Sequence, residues 1–164
     1  MTSAFQGNRA ESPSVRCADL GALSGEVLVY GGPYSNFQAT QAVFARADAL
    51  TIPPARRICT GDVVAYCADA VATADLVRRD GGNAIAGNCE RQLSSGAGDC
   101  GCGFEDGTVC DRLSEAWYAH AKNELVNHDD LLRWFAGLPD IATFLHAGRR
   151  AAVLHGGVTD ISRF

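Results

Sequence analysis

Within the stretch 27–90, three segments share one form: Val27–Pro33 (VLVYGGP), Arg57–Asp62 (RICTGD) and Ala84–Glu90 (AIAGNCE). Each is a short apolar run that breaks into glycine. Such a run, too short for a helix and bounded by a turn, reads as a buried strand. Between them lie two segments of helical period. Asn36 is a candidate N-cap for the first, with Ala39, Val43, Ala47 and Leu50 on one face. The second covers Ala70–Arg79, with Ala70, Ala74 and Val77 on one face and Gly81-Gly82 after its end. Strand, helix, strand, helix, strand is the order of an α/β fold with parallel pairing.

Outward from this block the pattern continues. Residues 94–110 read as a loop rich in Ser, Gly, Asp and Cys. Leu113, Ala116, Trp117, Ala121 and Leu125 then recur at helical spacing. Leu131, Leu132, Trp134 and Phe135 suggest a further helix ended by Gly137 and Pro139. Ile141–His146 and Arg150–Leu154 read as two more strands, the last running into His155-Gly156-Gly157. On the other side, residues 1–25 lack periodicity and read as an irregular lead-in, so a single domain is expected over 26–164.

Composition agrees with one folded domain. The chain has 164 residues, 47% of them apolar and 20% charged, and a formal net charge of −5. A disordered chain would be less apolar. The acidic balance excludes nucleic acid held by overall charge. No apolar run approaches the roughly 20 residues of a membrane-spanning helix, and the opening residues lack the basic and apolar regions of a secretory signal. The expectation is a cytoplasmic protein whose seven cysteines are thiols or metal ligands. Association of identical copies stays open.

The strand ends carry the polar residues. Asp62 follows Gly61, Asn88 follows Gly87, and His155 follows the last strand. In open α/β sheets, sites form beyond the carboxyl ends of strands, and Asp, Asn and His supply oxygen and nitrogen donors for a divalent transition metal. Each residue alone also fits a plain turn, cap or strand-end role; their shared position favours a site. Tyr34 and Asn36, just past the first strand, are candidate substrate contacts, with a packed ring and a helix cap as the ordinary alternatives.

In order and content these turns resemble the calcineurin-like metallophosphoesterases. That family carries an Asp-x-His turn, then Gly-Asp, then Gly-Asn-His-(Asp/Glu), a His near a Gly, and a closing Gly-His-x-His. The matching segments here are VLVYGGPYSN (27–36), ICTGDV (58–63), AGNCE (86–90) and VLHG (153–156). The resemblance implies a β-sandwich flanked by helices, with divalent metal (manganese, zinc or iron) at the strand ends and a small phosphate mono- or diester as substrate. It implies that Asp62 is the bridging carboxylate and that Asn88 and His155 are metal ligands.

The departures are equally specific. The first motif's Asp and His fall on Gly32 and Tyr34, and the catalytic His of the third motif falls on Cys89. Cys89 is therefore the candidate proton donor or replacement ligand. No counterpart of the closing motif precedes Phe164, so the resemblance implies a fold without its closing strands. Three readings follow: a divergent metal-dependent phosphoesterase, a non-catalytic binding protein of the same fold, or an inactive fragment of a longer enzyme. Cys100, Cys102 and Cys110, with Cys89, form a second candidate metal site for a soft ion such as zinc; plain loop or core thiols are the competing reading. Cys59, inside an apolar strand, reads as core.

Overall fold

The computed structural model describes residues 15–157 and 161–162. Among these residues six strands form two three-stranded sheets. The first sheet contains β2 (Leu28–Tyr30), β3 (Arg57–Cys59) and β4 (Asn83–Ala84), all parallel, in that order. The second places β5 (Ile141–His146) between β1 (Cys17–Ala22), to which it is parallel, and β6 (Arg149–Leu154), to which it is antiparallel. Among the described residues there are five α-helices, α1 (Phe37–Ala49), α2 (Ala70–Asp80), α3 (Asn88–Ser95), α4 (Val109–Leu125) and α5 (Asp129–Gly137), and a short 3-10 turn at Pro54–Arg56. The expected mixed α/β architecture is thus present.

The parallel sheet is the middle layer. Successive side chains of a strand point to opposite faces, and β3 uses both. Ile58 joins Ile85 against Ala142, Phe144 and Val153 of the second sheet. Cys59 faces the other way, into the larger core with Phe44, Val77, Trp117, Leu125 and Phe135 from the helices. Buried Arg57 ties this layer together at its lower end. Its guanidinium donates to the Ile52 carbonyl at 2.7 Å and the Asp80 carbonyl at 3.2 Å, and pairs with Asp48.

Three local differences from the sequence reading have physical causes. Residues 17–22, expected within an irregular lead-in, form β1, paired with β5 in the register Cys17↔Ile141. The domain therefore begins before residue 26. Residues 1–14 of that lead-in lie outside the described residues. Residues 88–95, expected as a turn and the start of a loop, form α3. Its inward positions include two polar side chains, Asn88 and Glu90, which an apolar period cannot register. On α1 the buried face is Thr40, Phe44 and Ala47, while Val43 and Leu50 are partly exposed. Thr40 can face inward because its hydroxyl donates to the Asn36 carbonyl at 2.8 Å.

Candidate metal and phosphoryl site

The parallel strands deliver their carboxyl ends to one edge, and the loops leaving that edge carry the candidate residues. Tyr34 follows β2, Asp62 follows β3, and Asn88 opens α3 just after β4. His155 comes from the other sheet, directly after β6. The structure brings Asp62, Asn88 and His155 together. His155 Nε2 lies 3.1 Å from Asn88 Oδ1 and 3.5 Å from Asp62 Oδ1.

Hydrogen assignments at this point are forced by two backbone carbonyls. A carbonyl only accepts. His155 Nδ1 lies 2.7 Å from the Thr60 carbonyl, so the ring proton sits on Nδ1. Asn88 Nδ2 donates to the Cys100 carbonyl at 2.8 Å, so its Oδ1 must face the imidazole. In the neutral ring Nε2 is then a bare lone pair facing an amide oxygen and a carboxylate oxygen. Three acceptors converge with no hydrogen among them, an arrangement that a cation or an added proton at Nε2 satisfies. The donor set, one carboxylate, one amide oxygen and one imidazole nitrogen, therefore fits a divalent ion. Among the described residues no group of three or more His, Cys, Asp or Glu is arranged to hold a metal, so the amide oxygen of Asn88 is needed to reach three donors.

Two glycines make the convergence sterically possible. A Cβ on Gly61, whose φ is +93°, would lie 2.3 Å from the Gly87 nitrogen. A Cβ on Gly87 would lie 2.2 Å from Asp62 Oδ1 and 2.9 Å from His155 Cε1.

Glu90 organises the Asp62 loop from below. It is fully buried. Its Oε2 accepts the backbone N–H groups of Asp62 and Gly87, both at 2.8 Å, and its Oε1 accepts those of Val63 at 2.9 Å and Val64 at 3.4 Å. Burial and the Asp62 charge push its carboxyl up to about 7, against these backbone donors. Asp62 is also raised by burial, opposed by His155 and by hydrogen bonds from Cys89. Sequence reasoning gave Glu90 no role of its own. The usable signal was its place three residues after Gly87, where a glutamate folds back onto a helix start.

Cys89 stands behind this arrangement. It is buried in the helix-side core and does not line the cavity over Asp62. Its thiol is pushed far up by burial and by the Asp62 and Glu90 charges, and its backbone N–H lies 3.4 Å from Asp62 Oδ1. Asn36 also lies apart from the donors: its Oδ1 accepts the Ala39 N–H at 3.0 Å as the α1 cap, as the sequence suggested. It lines a neighbouring groove of about 230 Å³ rather than the cavity.

Tyr34 does line the cavity, a space of about 380 Å³ shared with Thr60, Asp62, Asn88 and His155. A Cβ on Gly32 would lie 2.1 Å from the Tyr34 ring. The ring thus fills the space that a side chain at position 32 would take, where the family resemblance expects a ligand. Tyr34, Ser35, Asp62 and Tyr66 all have positive φ, between +45° and +54°. Left-handed backbone at non-glycine residues is disfavoured and gathers at functional sites. Here it is held by the Tyr34 N–H to the Asp62 carbonyl, 3.1 Å, and the Ser35 N–H to the Val63 carbonyl, 2.9 Å.

The cysteine loop differs from its metal-site expectation. Cys100 and Cys102 are joined as a disulfide. Cys110 is an exposed free thiol and Cys89 a buried one. The pair still touches the site, since Cys102 lines the cavity and its sulfur lies 3.4 Å from Asn88 Nδ2.

No family model matches the sequence, and no curated protein matches it. Two proteins of low identity are among the solved structures that share the fold. One is a hypothetical protein from Pyrococcus horikoshii, with a TM-score of 0.63 and 16% identity, matched over 82% of this chain and 56% of that one. The other is a protein provisionally described as a diadenosine tetraphosphatase, with a TM-score of 0.57 and 18% identity, matched over 88% of this chain and 55% of that one. At such identities the likeness is one of fold. The chain spans just over half the length of either neighbour. No helix among the described residues is long and apolar enough to cross a membrane.

Proposed function

We infer that this chain is a divergent metal-dependent phosphoesterase of the calcineurin-like metallophosphoesterase type, hydrolysing a small phosphate mono- or diester. The observation that carries the reading is the convergence of His155 Nε2, Asn88 Oδ1 and Asp62 Oδ1, at 3.1 Å and 3.5 Å from the imidazole nitrogen. Support also comes from a fold neighbour described provisionally as a diadenosine tetraphosphatase.

Asp62, Asn88 and His155 would hold a divalent ion such as manganese, zinc or iron. When bound, such an ion neutralises charge on a phosphoryl oxygen and lowers the pKa of a water. The chain's own residues supply the rest. The Thr60 carbonyl keeps the His155 proton on Nδ1. Glu90 fixes the backbone of the Asp62 turn. Cys89 holds the Asp62 carboxylate from behind rather than reaching substrate.

The test is hydrolysis of bis(p-nitrophenyl) phosphate with and without manganese, alongside manganese binding, for the wild type and Asp62→Ala. Manganese-dependent turnover and binding, both lost in the variant, support the reading. Equal turnover by both proteins refutes it. A second reading, a non-catalytic binding protein of the same fold, is favoured by Gly32 and Tyr34, which leave the first motif without donors. It predicts manganese binding that depends on Asp62 with no hydrolysis.

A further inference from the structure

Three exposed aromatic rings border the cavity that holds Asp62, Asn88 and His155. Tyr34 is 38% exposed, Tyr66 53% and Phe104 37%. Such rings are ordinarily withdrawn from water, and three at one small opening form an apolar surface beside a polar floor. Two of them are also fixed in place. The Tyr34 and Tyr66 rings meet edge to face at 5.0 Å, and Tyr66 rests on Trp117 at 4.9 Å. Trp117 is buried in the helix-side core. Tyr66 is therefore anchored from below and open from above. Gly32 has no side chain where the Tyr34 ring lies.

Charge narrows what this surface can recognise. Among the described residues that line the cavity, the ionisable groups are Asp62, His155 and the phenols of Tyr34 and Tyr66, with no Lys or Arg. A cation held at the floor would attract a phosphate, and the three ring faces offer a ligand an apolar surface beside the polar groups of Thr60 and Asn88. At about 380 Å³ the cavity lies within the range of small-ligand pockets. We propose that Tyr34, Tyr66 and Phe104 form a stacking site for a planar heteroaromatic base, so that the ester taken by this site is a nucleoside phosphate. The assignment of the phosphate end rests on the phosphoesterase reading; that of the base end does not.

The experiment separates the two. Calorimetric titration compares adenosine with ribose, without metal, and adenosine monophosphate with ribose 5-phosphate in manganese, for the wild type, Tyr66→Ala and Tyr66→Phe. The wild type is expected to bind adenosine but not ribose, and to bind the nucleotide at least about tenfold tighter than the sugar phosphate. Tyr66→Ala is expected to lose both preferences, and Tyr66→Phe to keep them. Far-ultraviolet circular dichroism checks that each variant is folded. A preference for adenosine with no gain from the phosphate and manganese would support the stacking site while refuting the phosphoesterase reading. Equal binding of base-bearing and base-free ligands, or a preference that survives Tyr66→Ala, overturns the proposal.

Discussion

Gly87 leaves room for Asp62: a Cβ at position 87 would lie 2.2 Å from Asp62 Oδ1 and 2.6 Å from its backbone nitrogen. Rotating the carboxylate relieves the first contact but not the second. The backbone at Gly87 has φ −91°, which any residue adopts, so space alone excludes a side chain. Gly87→Ala is expected to lower manganese affinity at least about tenfold, the scale of a disturbed supporting shell. Titration of the purified variant measures it; unchanged affinity would show that the Asp62 turn is free to move.

Proton placement on His155 is a spectroscopic prediction. With zinc bound, the 15N spectrum of the ring should show a protonated Nδ1, held by the Thr60 carbonyl, and a metal-bound Nε2. Asn88→Ala should weaken zinc binding while leaving the proton on Nδ1. A proton on Nε2 in the zinc-loaded protein would contradict the donor set.

Glu90→Gln is expected to be costly despite its equal size. Each carboxylate oxygen accepts two backbone N–H groups. The amide must place its own NH₂ against one of those pairs, leaving two buried donors unpaired. The cost is about 3 kcal/mol, read from urea unfolding. A loss below about 1 kcal/mol would mean that the turn re-forms around the amide.

Asp140 gives a prediction in pH. Burial raises its carboxyl, but the Arg16 backbone N–H and the Arg91 guanidinium outweigh burial and hold it below the ordinary value of 3.8. The contacts are 2.7 Å from Arg16 N and 2.5 Å from Arg91 Nη2. A depressed folded pKa adds stability that is present above the unfolded value and is lost as pH falls through the folded one. Asp140→Asn should therefore cost about 1 kcal/mol near neutrality, with the gap to the wild type closing below pH ~4. Urea midpoints measured across that window test it, and a gap independent of pH would rule it out.

Thiol counting addresses the cysteine loop. With Cys100 and Cys102 joined, alkylation of the denatured, unreduced protein should modify Cys17, Cys59, Cys67, Cys89 and Cys110 and spare that pair. Prior reduction should expose both. Labelling of all seven cysteines without reductant would mean that the pair is open in solution.

The turns at Gly31, Gly61 and Gly87 were legible because a short apolar run that stops at glycine is a local signal. The same logic located β6 and His155 after it. β1 escaped because its half-buried positions are only Ala18 and Leu20, set between exposed Cys17 and Asp19, too faint a pattern to rise above irregular chain. α3 escaped because Glu90 faces inward to serve backbone N–H groups, a role that hydrophobic periodicity counts as outward. The outer half of α4 was read one step off: Leu113 is 61% exposed and Ser114 is buried. Tyr66 and Phe104 lie on loops, where no period links them to Asp62, and only the folded chain brings them to one opening.

His155 and Asp62 lie on different sheets, and the sheet that carries His155 is closed by a pairing between residues 17 and 141. Contacts so distant along the chain carry the largest loop-closure cost. Asp62, Asn88 and Glu90 belong to one local α/β unit, whereas the imidazole joins them only when the hairpin of β5 and β6 packs on that unit. Any ligand that needs all three donors would bind the finished fold alone and draw the folding equilibrium toward it.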